Sequence, residues 1–161
     1  SERYISKALR IREILGEDCG ISSDMTSGIC SETEEDHQGT LAVMNRVRYD
    51  FAYMFTYSER PGTLAEKKYA DDVPEDVKLR RLEEIISLQT EHAVIRNKQN
   101  EQKIYKVLIE GFSKKSEEFL QGRNSQNKVI VFPKENFQKG QYVNVLVERS
   151  TRGTLIGKAV E

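Results

Sequence analysis

The sequence predicts an α/β segment followed by an all-β barrel, and three observations carry that prediction. Residues 51–57 form an aromatic and apolar run, with Thr56 its one polar member, after a helix-like stretch. Residues 74–97 have the length and spacing of one long helix. After residue 103 the texture changes to short alternating runs separated by turn residues.

The elements follow in order. Residues 4–15 predict an amphipathic helix, with Ile5, Leu9 and Ile11 or Arg12 at roughly helical spacing and a stop at Gly16. Residues 19–25 predict a short strand. Ser31 and Glu34 fit an S-x-x-E capping box, in which Ser31 accepts from the Glu34 amide. The helix it opens continues through Leu41, Met44 and Val47 or Arg48. The run FAYMFTY at 51–57 predicts a strand buried on both faces of a parallel sheet. Strand, helix and strand make a βαβ unit. Two clear strands are fewer than a doubly covered sheet or barrel needs, so this half reads as incomplete.

Arg60-Pro61-Gly62-Thr63 breaks the pattern. Pro74 then opens the long helix, with Glu75 and Asp76 in its first turn, where carboxylates suit the helix dipole. Leu79, Leu82, Ile86 and Ala93 share one face, and the helix reads as a bridge between two domains. Five alternating runs follow, at 104–110, 119–123, 128–132, 142–149 and 154–160. Gly111-Phe112-Ser113, residues 124–127, residues 138–140 and residues 151–153 supply the turns. Five short strands so spaced suit a small closed barrel of the OB type, a form that often binds oligonucleotides.

Composition narrows the function. The chain has 161 residues and a net charge of −1. Residues 1–100 carry 14 Lys and Arg against 19 Asp and Glu, and residues 101–161 carry 11 against 7. An acidic front and a basic tail make the tail the part suited to a polyanion, although the same balance is also ordinary for a solvated surface. No apolar run reaches the ~20 residues that cross a bilayer, and no signal peptide opens the sequence, which makes the cytoplasm the expected location. Cys19 and Cys30 lie too far apart for a CxxC site, and neither His37 nor His92 has neighbours that make a ligand cluster. The sequence starts Ser1-Glu2-Arg3 without a methionine, and is expected to be a processed product or a piece of something longer.

Two segments are placed for chemistry. In residues 23–36 a strand ends, Gly28 permits a tight turn and an acidic helix start follows. Ligands sit at the C-terminal ends of strands in α/β sheets, so this loop suits a site, while a plain helix cap explains the same residues. At 55–63 a strand delivers Tyr57, Ser58 and Arg60 to its C-terminal end.

Together these segments carry a resemblance. Ser23-Asp24, Gly28 and Glu32-Thr33-Glu34-Glu35-Asp36 come first, then Tyr57-Ser58 with Arg60-Pro61-Gly62-Thr63 and Ala65. Val73-Pro74-Glu75, Val77-Lys78 and Arg80-Arg81 follow, ahead of the tail from Gly122-Arg123 through Asn127 to Phe132. This order resembles the radical S-adenosylmethionine methylthiotransferases over essentially the whole chain. The tail is most similar to members that modify isopentenylated adenosine beside the tRNA anticodon. One departure is local: the family's Gly-Phe-Pro-Gly loop appears here as Gly28-Ile29-Cys30-Ser31, with Cys30 in the place of proline.

The resemblance implies a three-part enzyme with an N-terminal cysteine-bearing domain, a radical barrel with a Cys-x-x-x-Cys-x-x-Cys loop, and a TRAM β-barrel. It implies S-adenosylmethionine and two 4Fe–4S clusters as cofactors, one cluster generating the radical and the other supporting sulfur insertion. This chain has no cysteine triad. It is therefore expected to contain no catalytic residue and no metal ligand, to be inactive alone, and to need the N-terminal parts of the same polypeptide. The implied layout is the end of the radical barrel at 1–73, a linking helix at 74–98 and the TRAM barrel at 99–161.

The site residues implied are Ser23, Asp24 and Glu32 at the S-adenosylmethionine end of the barrel. Asp24 and Glu32 equally suit the amides of a helix start. Tyr57 and Arg60 are expected to face the substrate nucleotide, or Arg60 to close a salt bridge at the barrel rim. Lys114, Lys115, Arg123, Lys128 and Arg152 are candidates to neutralise phosphates of the tRNA anticodon arm. Phe132 or Phe119 is a candidate to stack on a base, and each is equally a candidate for the barrel core. Two other functions compete: a non-catalytic RNA-binding protein, and a methylthiotransferase of a ribosomal-protein aspartate, against which the tail and its basic balance argue. A partial parallel sheet also predicts swapping, dimerisation or partial disorder in isolation.

Overall fold

The computed structural model describes residues 2–160. The elements are α1 (Glu2–Leu15), β1 (Ser22–Ser27), α2 (Glu34–Val47), β2 (Phe51–Thr56), α3 (Leu64–Lys68), α4 (Glu75–Lys98), β3 (Ile104–Ser113), β4 (Ser116–Arg123), β5 (Val129–Pro133), β6 (Tyr142–Ser150) and β7 (Leu155–Val160). They form two compact units: Ser1–Ile14 with Ile21–Thr90, and Leu15–Gly20 with Glu91–Glu161.

In the first unit β1 and β2 pair in parallel, Ser22 opposite Phe51 through Ser27 opposite Thr56. Successive side chains alternate between faces, and in this register partners share a face. Ala52, Met25 and Met54 join Ile5, Ala8, Met44, Val47 and Ile85 in one core, so α1, α2 and α4 pack on a single side of the sheet. The other side carries Asp24 and Thr26 beside Phe51, Tyr53 and Phe55, whose exposures are 49%, 58% and 57%. The expectation of a strand buried on both faces is therefore corrected: β2 is covered on one face only. Its apolar run still reads as a strand, but the described residues supply helices to just one side.

Three local expectations also shift. The first strand starts at Ser22, because Cys19 closes a turn with its amide on the Gly16 carbonyl. The cap of α2 is Thr33: its hydroxyl accepts from the Asp36 amide while the Asp36 carboxylate accepts from the Thr33 amide at 3.0 Å. Ser31 sits at a φ of 66° and bonds Asp72 through its amide at 2.6 Å. The buried side of α4 holds Lys78, Arg81, Ile85, Gln89, His92 and Arg96, whereas Leu79 and Ile86 are exposed. Apolar spacing misreads this helix because its buried cations and amides are matched by carboxylates and carbonyls.

In the second unit all five expected strands close a barrel in the order β3-β4-β5-β7-β6. Its core comprises Tyr105, Val107, Ile109, Leu120, Ile130, Phe132, Val143, Val145, Val147 and Leu155. The expected turn at 111–113 lies inside β3, where Gly111 marks a register shift and the chain reverses at Lys114-Lys115. Asn97 donates to the Thr151 and Arg152 carbonyls at 2.9 and 3.0 Å, and its carbonyl accepts from Lys128 Nζ at 2.8 Å.

Candidate functional site

In the first unit, the loops that follow β1 and β2 meet where the Tyr57 amide donates to the Ser27 carbonyl at 2.8 Å. Ser27 Oγ donates to the Lys78 carbonyl at 2.8 Å, which ties the strand end to α4. Gly28 follows at a φ of +75°, with the Lys78 side chain where a Cβ would stand. Only glycine satisfies both conditions without strain. The Glu32 carboxylate then accepts from the Gly28 amide at 2.7 Å and from Arg81 at 2.9 Å. Arg81 also reaches the Glu32 carbonyl at 3.1 Å and the Glu34 carboxylate at 3.3 Å. Glu32 is thus the clamp of this loop.

Lys78 is nearly sealed, its side chain 3% exposed, and pairs with Asp71 at 2.6 Å. That carboxylate raises the Lys78 pKa, so the ammonium stays charged below the Tyr57 ring, 5.6 Å from its centroid. The Tyr57 phenol is pushed up to about 12 by the Cys30 thiol beside it, partial burial and the charges of Glu59 and Asp71. It therefore remains a hydrogen-bond donor at neutral pH and is no general base. Arg60 is exposed and makes no ion pair among the described residues; its carbonyl accepts from the Thr63 hydroxyl at 2.8 Å.

Ser23 and Asp24 are adjacent on β1 and so point to opposite faces. Asp24 lies on the open face beside Tyr53, while Ser23 lies on the helix side. Among the described residues no group of three or more His, Cys, Asp or Glu is placed to hold a metal. Cys19 and Cys30 are both free and half-buried. The residues present do not fit an iron–sulfur cluster, which needs converging thiolates. No helix is long and apolar enough to cross a membrane among the described residues.

In the second unit, the expected basic residues do not converge. Lys114 and Lys115 occupy one end of β4 and Arg123 the other, ~23 Å away at the rise of a strand. Arg123 donates to the Asn127 carbonyl at 3.0 Å and pairs with Glu110 at 3.4 Å. Lys128 bonds Asn97, as noted above. Phe132 is 0% exposed and meets Phe137 edge-on at 6.4 Å, so its expected role against a base is corrected: it is core. Phe119 is 36% exposed.

Two outward-facing pairs were missed from the sequence. Lys106 Nζ lies 4.9 Å above the Tyr142 ring, and Lys134 Nζ lies 4.9 Å above the Phe112 ring. The first had a legible signal. Ile104, Lys106 and Leu108 alternate with Tyr105, Val107 and Ile109, and the second set is the buried one.

Residues 98–160 match the TRAM domain. Over 155 residues the chain is 59% identical to a tRNA-2-methylthio-N(6)-dimethylallyladenosine synthase of Amoebophilus asiaticus, covering 96% of the chain and 32% of that protein. Proteins of the same name from Flavobacterium johnsoniae and Porphyromonas gingivalis are each 50% identical, covering 99% and 98% of the chain and 33% and 34% of their own lengths. The chain spans about a third of the length of the curated relatives it matches. Such identity, sustained across both units, places the chain in the tRNA methylthiotransferase family, with residues 98–160 as its TRAM domain.

Proposed function

We propose that this chain is the tRNA-engaging part of a radical S-adenosylmethionine methylthiotransferase, acting on isopentenylated adenosine beside the anticodon. The observation that carries the reading is the joining, in one chain, of a TRAM barrel to a parallel strand pair whose polar and aromatic face is open. In this reading residues 1–73 complete a radical barrel with preceding parts of the polypeptide, residues 74–98 link, and residues 99–161 grip RNA.

S-adenosylmethionine, when bound, supplies a radical that removes hydrogen from the substrate carbon. This chain's part is to shape the pocket. Asp24 offers a carboxylate and Thr26 a hydroxyl on the open face, next to the Tyr53 and Phe55 rings, a set suited to the polar and flat portions of a nucleoside. Ser23 supports β1 from the helix side, and Glu32 fixes the loop at the strand's end through Gly28 and Arg81. The Tyr57 hydroxyl is buried beside Cys30 at the strand end and keeps its proton there, and Arg60, which has no ion pair among the described residues, is available to an RNA phosphate. In this reading the iron–sulfur clusters would be held by residues outside this chain.

In the barrel, Lys114, Lys115 and Arg123 are the expected phosphate contacts, with Lys128 contributing charge from its place beside Asn97. The test is titration of a labelled anticodon stem-loop, with and without the isopentenyl group, at two salt concentrations. Tighter binding of the modified loop supports the enzyme reading. Equal binding to any RNA with a steep salt slope points to a general RNA binder instead. No binding refutes the RNA role.

A further inference from the structure

We infer that Tyr142 and Lys106 form a stacking site for one unpaired RNA base on the outer wall of the barrel. The inference rests on the reading that the barrel binds RNA, and it names where and how.

Alternation along β6 sends Val143 and Val145 into the core and leaves Tyr142 62% exposed. A ring so exposed is not needed for packing. It is nevertheless held in place by its neighbours on β3: Leu108 lies directly opposite in the register, and Lys106 caps the ring face at 4.9 Å. Leu108 is in turn opposite Arg123 on β4. Tyr142, Leu108 and Arg123 therefore make a row across three adjacent strands, ~10 Å from end to end at ordinary strand spacing. The row offers an aromatic plane, a half-exposed aliphatic floor and a guanidinium.

An ammonium over an exposed ring is lightly held. A base that takes its place on the ring leaves the ammonium free to move onto the adjoining phosphate. Every base has a π-face, so stacking of this kind tolerates sequence. It requires an unpaired nucleotide, because bases inside an A-form duplex hide their faces against one another.

Charge selects this pair over the other one. On the wall of β3, β4 and β6, Lys106 and Arg123 stand with Glu110, which Arg123 already meets, and with Glu148, which Lys158 meets. The Phe112–Lys134 pair sits at the hairpin end, where Lys114, Lys115 and Lys134 are offset by Glu117, Glu118 and Glu135. The net charge at that end is near zero, so Lys114 and Lys115 serve there as single phosphate contacts, without the excess of positive charge that the Tyr142 wall offers.

The chain contains no tryptophan, so Tyr142→Trp in the full chain gives a single indole reporter that keeps the aromatic plane. Its emission is expected to be quenched on titration with anticodon stem-loop RNA and not with a fully paired duplex of equal length. Phe112→Trp is expected to stay bright with both. With labelled stem-loop, Tyr142→Ala weakens binding about tenfold, the scale of one lost base stack, and Tyr142→Phe retains it. Lys106→Ala lowers the salt slope by about one. Unquenched indole together with wild-type affinity for Tyr142→Ala overturns the inference while leaving the RNA reading intact, and so does equal quenching by duplex. Absence of stem-loop binding by the unaltered chain overturns both.

Discussion

Arg81 and Glu32 meet at 2.9 Å with side chains only 5% and 12% exposed, and the same Glu32 carboxylate holds the Gly28 amide. One ion pair thus joins α4 to the loop at the end of β1. Removing either partner strands a charge in a site sealed from water, which is costlier than the pair's own attraction suggests. Arg81→Ala is expected to lower the stability of the first unit by about 3 kcal/mol, read by urea unfolding. A loss below ~1 kcal/mol would show the pair to be a surface contact in practice.

Gly28→Ala tests the same loop through its backbone. A left-handed φ and the Lys78 side chain at the Cβ position together predict a loss of about 1–3 kcal/mol in thermal or urea unfolding. An unchanged midpoint would mean that the loop can move away from Lys78.

Acid should loosen the first unit over a defined window. Glu34 is lowered from 4.5 to about 2, first through hydrogen bonding by Arg80. Glu84 is lowered by its bond to His37, Asp36 by Thr33 and Asp72 by the Ser31 amide. Each folded value lies below the unfolded one, so the stabilisation is complete above pH 4.5 and is lost as pH falls toward about 2. Helical circular dichroism is expected to fall across that interval, earlier in high salt because Glu34 is exposed and screened. A signal flat down to pH 2 would contradict the assignment.

Phe132→Ala separates core from contact. Truncating a fully buried phenylalanine costs about 3–5 kcal/mol, so the variant should lose barrel stability. A variant as stable as the parent but weaker in RNA binding would return Phe132 to the interface.

The open face of β2 predicts self-association. Phe51, Tyr53 and Phe55 line one strand with ring centroids 4.7 and 6.4 Å apart, a contiguous apolar surface exposed to water. Light scattering after size exclusion is expected to give a mass above the 18.5 kDa of one chain and rising with concentration, and Tyr53→Lys should reduce it. A monomer at all concentrations would show that this face tolerates water.

The sequence by itself determined the α/β-then-barrel order, the five barrel strands and the family, because period-2 alternation, turn residues and motif spacing are local properties of the chain. Alternation left Phe132 open between core and base contact and did not single out Tyr142, although the neighbouring valines carry the signal for both. What only the tertiary structure decided was which buried polar groups are matched. Lys78, Arg81 and Gln89 line the inner face of α4 because Asp71, seven residues before Lys78, and the distant Glu32 and Tyr49 carbonyl come to them. The cap at Thr33 rests on the local Thr33-x-x-Asp36 box, while Asp72, 41 residues away, takes the Ser31 amide and hydroxyl. Which of two adjacent residues, Ser23 or Asp24, meets the open face depends on which side of the sheet the helices cover. The pairings of Arg81 with Glu32 and of Gln89 with Tyr49 join residues 49 and 40 positions apart, so no local spacing records them.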